Sequence, residues 1–226
     1  SIQNQFWVLA ALGVVITIVA FRLIPREFIR MMGLWIMRIV YRSRIIHQDR
    51  IPEDGGAVIV SNHVTYGDAL FLSLICPRPI RFIVAEEFVA IRWLGWILEL
   101  FNCLPISSRN PRESLSKAIQ ALKAGEVICI FPEGTRNKGE ELSLLPFHNG
   151  SFKIAEKTGC PIIPMSLNNT CDIFEGHFPF IKKTHVILEY GKPIYPKELD
   201  KDEKKRIGEY CSNIISETIH KNQALV

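Results

Sequence analysis

No charged residue occurs in the first 21 positions of the chain, and residues 6–21, FWVLAALGVVITIVAF, are almost wholly apolar. A stretch of this kind must hide its surface in lipid or in a protein core. As a helix the run rises roughly 24 Å at 1.5 Å per residue, short of the ~30 Å hydrocarbon layer of a bilayer. Adding Arg22, whose guanidinium can snorkel outward, with Leu23 and Ile24 nearly closes the gap. The segment is expected to span a bilayer or to dip into one leaflet. The alternative is an ordinary buried core helix.

Residues 26–44, REFIRMMGLWIMRIVYRSR, follow Pro25. On a wheel of 100° per residue, Arg26, Arg30, Arg38 and Arg42 share one half. Phe28, Ile29, Met32, Trp35, Ile36, Ile39 and Val40 fill the other. A basic stripe opposite an aromatic and aliphatic face is the pattern of a helix lying in a membrane interface. Each arginine near an anionic leaflet adds about 1 kcal/mol. Residues 1–45 are therefore expected to form a two-helix membrane-associating segment, and residues 46–226 a single domain. If the first run spans, the positive charges after it put that domain on the cytoplasmic side of the cell membrane.

Beyond residue 46, short apolar runs alternate with helical periodicity. Strands are expected at 57–60, 81–85, 103–107, 127–131, 161–167 and 185–190. Helices are expected at 68–75, 91–101, 111–124, 150–158 and 200–220. Leu115, Ile119 and Leu122 share one helical face, with Gly125 at the stop, and Asp200 is placed to cap the last helix. Strands alternating with helices make an α/β fold, a mixed sheet flanked by helices.

Net charge is +4 over 226 residues. No Lys/Arg block or zinc-finger spacing accompanies it, so nucleic acid is not an expected partner. The six cysteines, Cys76, Cys103, Cys129, Cys160, Cys171 and Cys211, contain no CxxC pair. A metal site is not expected, and the cysteines read as reduced thiols of a cytosolic compartment.

Three stretches carry chemistry. The first is VIVSNHVTYGDALFL, where an apolar strand ends in a polar loop with Asn62, His63 and Thr65 before Asp68 enters a helix. Across such a junction His63 and Asp68 can meet, the imidazole as general base and the carboxylate holding its tautomer. The bland reading has His63 packed under the loop and Asp68 capping the helix. The chain has no GxSxG elbow, P-loop or HExxH. A His–Asp pair without an evident nucleophile points to activation of the substrate's own hydroxyl.

The second stretch is FPEGTRN, residues 131–137. Arg136 offers a planar fork for phosphate or carboxylate, Thr135 a hydroxyl, and Gly134 a close backbone approach. A carboxylate at Glu133 would repel a phosphate, so Glu133 reads as the group that holds the turn. The third stretch, CLPISSRNPRESL, ends a strand in two serines before Arg109 and Arg112, a weak anion signal.

In this order the three stretches resemble the glycerolipid acyltransferases, the 1-acyl-sn-glycerol-3-phosphate acyltransferase family and its lysophospholipid relatives. His63 and Asp68 match that family's N-H-x4-D motif, FPEGTR its third motif, and CPIIPMSL with Pro164 its fourth. The likeness covers about residues 51–194. It implies an acyltransferase domain, with His63 and Asp68 catalytic, and Glu133, Gly134, Thr135, Arg136 and Arg109 binding the acceptor's phosphate. It implies acyl-CoA or acyl carrier protein as donor, lysophosphatidic acid as acceptor, a phospholipid membrane as partner surface, and neither cofactor nor metal. The alternatives are acylation of another lysophospholipid, such as lysophosphatidylethanolamine, and a non-catalytic lipid-binding domain. Two positions depart from the pattern. Ser107 and Ser108 stand where an acidic residue and arginine are usual, with Arg109 one place later. His148 stands where lysine is commoner.

Overall fold

The computed structural model of the chain describes residues 2–23, 28, 31–33, 35, 42–65, 67–107, 109–137, 142–170 and 185–225. After the N-terminal helix α1 (Ile2–Leu23) come β1 (Arg42–Ile46), β2 (Ala57–Ser61), α2 (Gly67–Ile75), β3 (Ile80–Ala85), α3 (Glu86–Val89) and α4 (Arg92–Leu100). Then follow β4 (Leu104–Ile106), α5 (Pro111–Lys123), β5 (Val127–Ile130), α6 (Lys153–Thr158), β6 (Ile162–Asn168), β7 (His185–Tyr190), α7 (Lys201–Lys205) and α8 (Ile207–Gln223).

The strands form one sheet in the order β1-β7-β6-β2-β5-β3-β4. From β6 to β4 every pairing is parallel, while β7 runs antiparallel to β6 and carries β1 parallel to itself. This is the expected mixed α/β sheet. Parallel strands covered on both faces read as unbroken apolar runs, and all of AVIVS in β2 and VICI in β5 is buried. Alternate residues feed two cores. Ile59, Cys129 and Phe82 join Phe71, Leu72 and Ile75 of α2. Val58, Val60, Ile128 and Ile130 join Leu122 of α5, Phe152 and Ile154 at α6, and Cys211, Ile215 and Ile219 of α8. None of the five cysteines among the described residues is in a disulfide; Cys171 lies outside them.

The expected boundaries hold to within a residue or two for most elements. The Asp200 cap is a full capping box: its carboxylate accepts from the Asp202 and Glu203 N–H groups, and the Glu203 carboxylate accepts from the Asp200 N–H. The helix expected from Asp200 onward divides at Arg206. One expectation is corrected. Residues 42–44, read as the end of the basic helix, belong to β1, which pairs with β7. A neighbouring strand edge satisfies their backbone groups, a tertiary gain that helical periodicity does not reveal. The new strand straddles the division expected at residue 45.

Every described side chain of α1 from Gln3 to Val19 is exposed, reaching 68% at Leu9, so α1 is not a core helix. Among the described residues, no helix is long and apolar enough to cross a membrane. Of residues 26–44, Phe28, Met31–Gly33 and Trp35 are helical, and Arg26, Arg30 and Arg38 lie outside the described residues. A methyl group at Gly33 would meet the end of the Leu74 side chain of α2, which would have to shift.

Candidate active site

Because β6, β2, β5, β3 and β4 run in one direction, their C-terminal ends share one sheet edge. Ligands in open α/β sheets bind outside that edge. His63 stands two residues beyond β2, and the FPEGTR turn begins just beyond the adjacent β5.

Asp68 sits in the first turn of α2 and is fully buried. Its Oδ2 accepts from His63 Nδ1 at 2.9 Å, from the Val64 N–H at 2.8 Å and from the Thr65 N–H at 2.9 Å. The two backbone donors compensate the buried negative charge, and the helix N-terminus adds to that. The His63 side chain is 18% exposed. With Nδ1 bonded to the carboxylate, Nε2 is the nitrogen left for a substrate. The expected His–Asp pair is thus present as a geometric dyad.

Three further contacts hold His63. Its backbone N–H donates to Glu133 Oε1 at 2.8 Å, and its carbonyl accepts from the Asn137 N–H at 2.8 Å. Its ring stacks on Phe131, with centroids 4.1 Å apart and planes 17° apart. Just upstream, the Asn62 side chain mimics a strand segment. It donates to the Leu167 carbonyl at 2.9 Å and accepts from the Leu167 N–H at 2.8 Å, pinning the loop to β6.

Glu133 is buried. Its second oxygen accepts from the Leu145 N–H at 2.9 Å, so both oxygens are engaged by backbone donors. Burial pushes its carboxyl above the usual range, and the bonds from Leu145 and His63 pull against that push. In this geometry Glu133 ties the His63 loop to the FPEGTR turn. Gly134 adopts φ +69°, and its N–H donates to the Phe131 carbonyl at 3.1 Å. A Cβ there would meet the His148 ring at 3.1–3.2 Å. Gly134→Ala is expected to lower stability by about 1–2 kcal/mol through left-handed strain. Thermal denaturation followed by circular dichroism checks it.

Thr135 is exposed and Arg136 half-buried in the same turn, one and two residues from Gly134. Arg109 is exposed just after β4, and its N–H donates to Ser107 Oγ at 3.2 Å. β4 lies three strands from β2, about 14 Å at the usual spacing. Arg109 therefore shares the sheet edge with His63 and stands two strands from β5, which carries the FPEGTR turn. The roles of Asn62, Asn137 and Phe131 were not read from the sequence. The Asn preceding His63 and the apolar residue opening FPEGTR were the available signals.

Burial holds the Cys129 thiol, on β5 beneath this edge, well above its ordinary range, and a thiol held neutral is a poor nucleophile. Among the described residues, no group of three or more His, Cys, Asp or Glu is arranged to hold a metal.

A family model described as Acyltransferase matches residues 42–168. A chloroplastic 1-acyl-sn-glycerol-3-phosphate acyltransferase of Brassica napus is 31% identical over 165 residues, 71% of this chain and 47% of that protein. A 1-acyl-sn-glycerol-3-phosphate acyltransferase of Bacillus subtilis is 28% identical over 154 residues, 67% of this chain and 73% of that protein. The match spans about half the length of the plant relative and 52% of a yeast one. Among solved structures, the 1-acyl-sn-glycerophosphate acyltransferase of Thermotoga maritima aligns with a TM-score of 0.70 at 25% identity. That alignment covers 94% of this chain and 88% of the other.

Proposed function

The chain belongs to the acyltransferase family, and from that premise we propose that it moves a fatty acyl group from a thioester onto lysophosphatidic acid, giving phosphatidic acid. The observation that carries the reading is the His63–Asp68 dyad beside the arginine-bearing turn.

In this reading His63 Nε2 takes the proton of the acceptor's free hydroxyl as its oxygen attacks the thioester carbonyl. The tetrahedral adduct collapses, the C–S bond breaks, and the departing sulfur takes the proton back from the imidazolium. Asp68 keeps the Nδ1–H tautomer and balances the transient positive charge. The substrate hydroxyl is the nucleophile, so no covalent enzyme intermediate forms. Gly134, Thr135 and Arg136 hold the acceptor phosphate, and Glu133 shapes the turn that presents them. Arg109, on the same sheet edge two strands from β5, is assigned a supporting role in binding that phosphate. The donor is acyl-CoA or acyl carrier protein, and the reaction calls on no cofactor.

The acceptor lives in a bilayer and the donor in water. We assign residues 1–41 to membrane association and residues 42–226, which include β1, to catalysis on the cytoplasmic face. The exposed apolar surface of α1 supports that assignment.

The direct test is labelled acyl transfer with a panel of lysophospholipids against both donor types. Lysophosphatidate is expected to be the best acceptor. A preference for lysophosphatidylethanolamine would move the head group and keep the chemistry, and lipid binding without turnover under every donor would reject the enzyme. Arg136→Ala is expected to raise the KM for lysophosphatidate about tenfold or more, with a smaller change in kcat. Unchanged KM and kcat would return the turn to a surface feature.

A further inference from the structure

We propose that Phe131 is a positioning residue for acyl transfer: its ring is the platform that fixes the plane of the His63 imidazole. The proposal rests on His63 acting as the base.

The polar contacts of His63 leave one motion open. Glu133 and Asn137 fix its backbone, and Asp68 fixes Nδ1. An imidazole held through one nitrogen can still tilt about that hydrogen bond, sweeping Nε2 away from the acceptor hydroxyl. The stack on Phe131, 4.1 Å between centroids and 17° between planes, blocks the tilt from one face. Phe131 is itself backed by Phe82, whose ring lies 6.1 Å away at 16° and is almost fully buried. The base therefore rests on two aromatic layers, the deeper one in the core under the sheet. Adjacent strands make this possible. Phe131 follows β5, His63 follows β2, and Phe82 lies on β3 beside Cys129.

The platform has a second effect. When His63 takes the proton its ring becomes a cation, and the face of an aromatic ring attracts a cation. That attraction grows as the transition state is approached, so it acts on kcat more than on binding. Leucine at 131 keeps most of the apolar volume and removes the flat face. Tyrosine keeps both.

The experiment compares the Phe131→Leu, Phe131→Tyr and His63→Ala variants of the chain with the wild type, reading kcat, KM and thermal midpoint. Phe131→Leu is expected to lower kcat about tenfold with KM within about twofold. Phe131→Tyr is expected to return most of that loss. Wild-type kcat in Phe131→Leu, with His63→Ala inactive, would overturn the platform while leaving the base in place. A lowered midpoint with kcat and KM both impaired, and no return with tyrosine, would reduce Phe131 to plain packing and also overturn it. Activity retained in His63→Ala would instead reject the reading beneath the proposal.

Discussion

His63→Ala is expected to lower acyl transfer by about 100- to 10,000-fold, the range a positioned general base supplies. The loss falls on kcat, because the imidazole meets the acceptor hydroxyl and not its phosphate. The fold should tolerate the change. Asp68 keeps its bonds from the Val64 and Thr65 N–H groups. Glu133 and Asn137 bond to backbone atoms of residue 63, which alanine retains. A circular dichroism melt close to that of the wild type, with transfer lost, is the expected pair of results. Equal rates in the two proteins would remove His63 from the chemistry, and the mechanism with it.

Asp68→Ala is expected to come second, with kcat reduced on the order of 1,000-fold. Unlike His63→Ala, it also destabilises the fold. Three donors converge on Oδ2 of a fully buried side chain. Deleting it strands two backbone N–H groups, each costing about 1–3 kcal/mol if water does not enter. Asp68→Asn separates the two roles. Its amide oxygen can occupy the Oδ2 position and keep all three donors, while its NH2 takes the place of Oδ1, a buried atom with no hydrogen-bond partner. The kcat loss is still expected to be about 1,000-fold or more, because a neutral amide neither balances the imidazolium nor enforces the Nδ1–H tautomer, while the melt stays nearer the wild type than in Asp68→Ala. Steady-state kinetics and melting curves on both variants read this. A full wild-type rate in Asp68→Asn would show that orientation alone is required of this residue.

The legible parts of this chain are those where local pattern and tertiary role coincide. β2 and β5 are unbroken apolar runs because parallel strands are covered on both faces, and α5 shows its apolar stripe because one side packs on the sheet. His63 and Asp68 were legible because five residues across a strand–loop–helix junction let them meet without long-range folding. Strand β1 was not, because its first three residues, RSR, read as the end of a basic amphipathic helix until β7 offers the strand an edge. Glu133 sat between two readings, an acidic neighbour of a phosphate or a brace for the turn. Its burial, and the N–H groups of His63 and Leu145 on its two oxygens, give it the second.

What the sequence determined by itself is local: which runs are strands, which faces are apolar, which side chains carry ionisable or hydrogen-bonding groups, and the dyad five residues apart. The tertiary structure alone decided which loops became neighbours. The order β6-β2-β5-β3 sets the end of β2 beside the end of β5. This puts Phe131 against the His63 ring, the Glu133 carboxylate on the His63 N–H, and Asn62 on Leu167 more than a hundred positions away. The reason is physical. Periodicity records how a segment meets its surroundings, face by face, and similar apolar strands can occupy the centre of a sheet in several orders. Only the packed whole, with its crossovers closed and its buried polar groups paired, selects one of them.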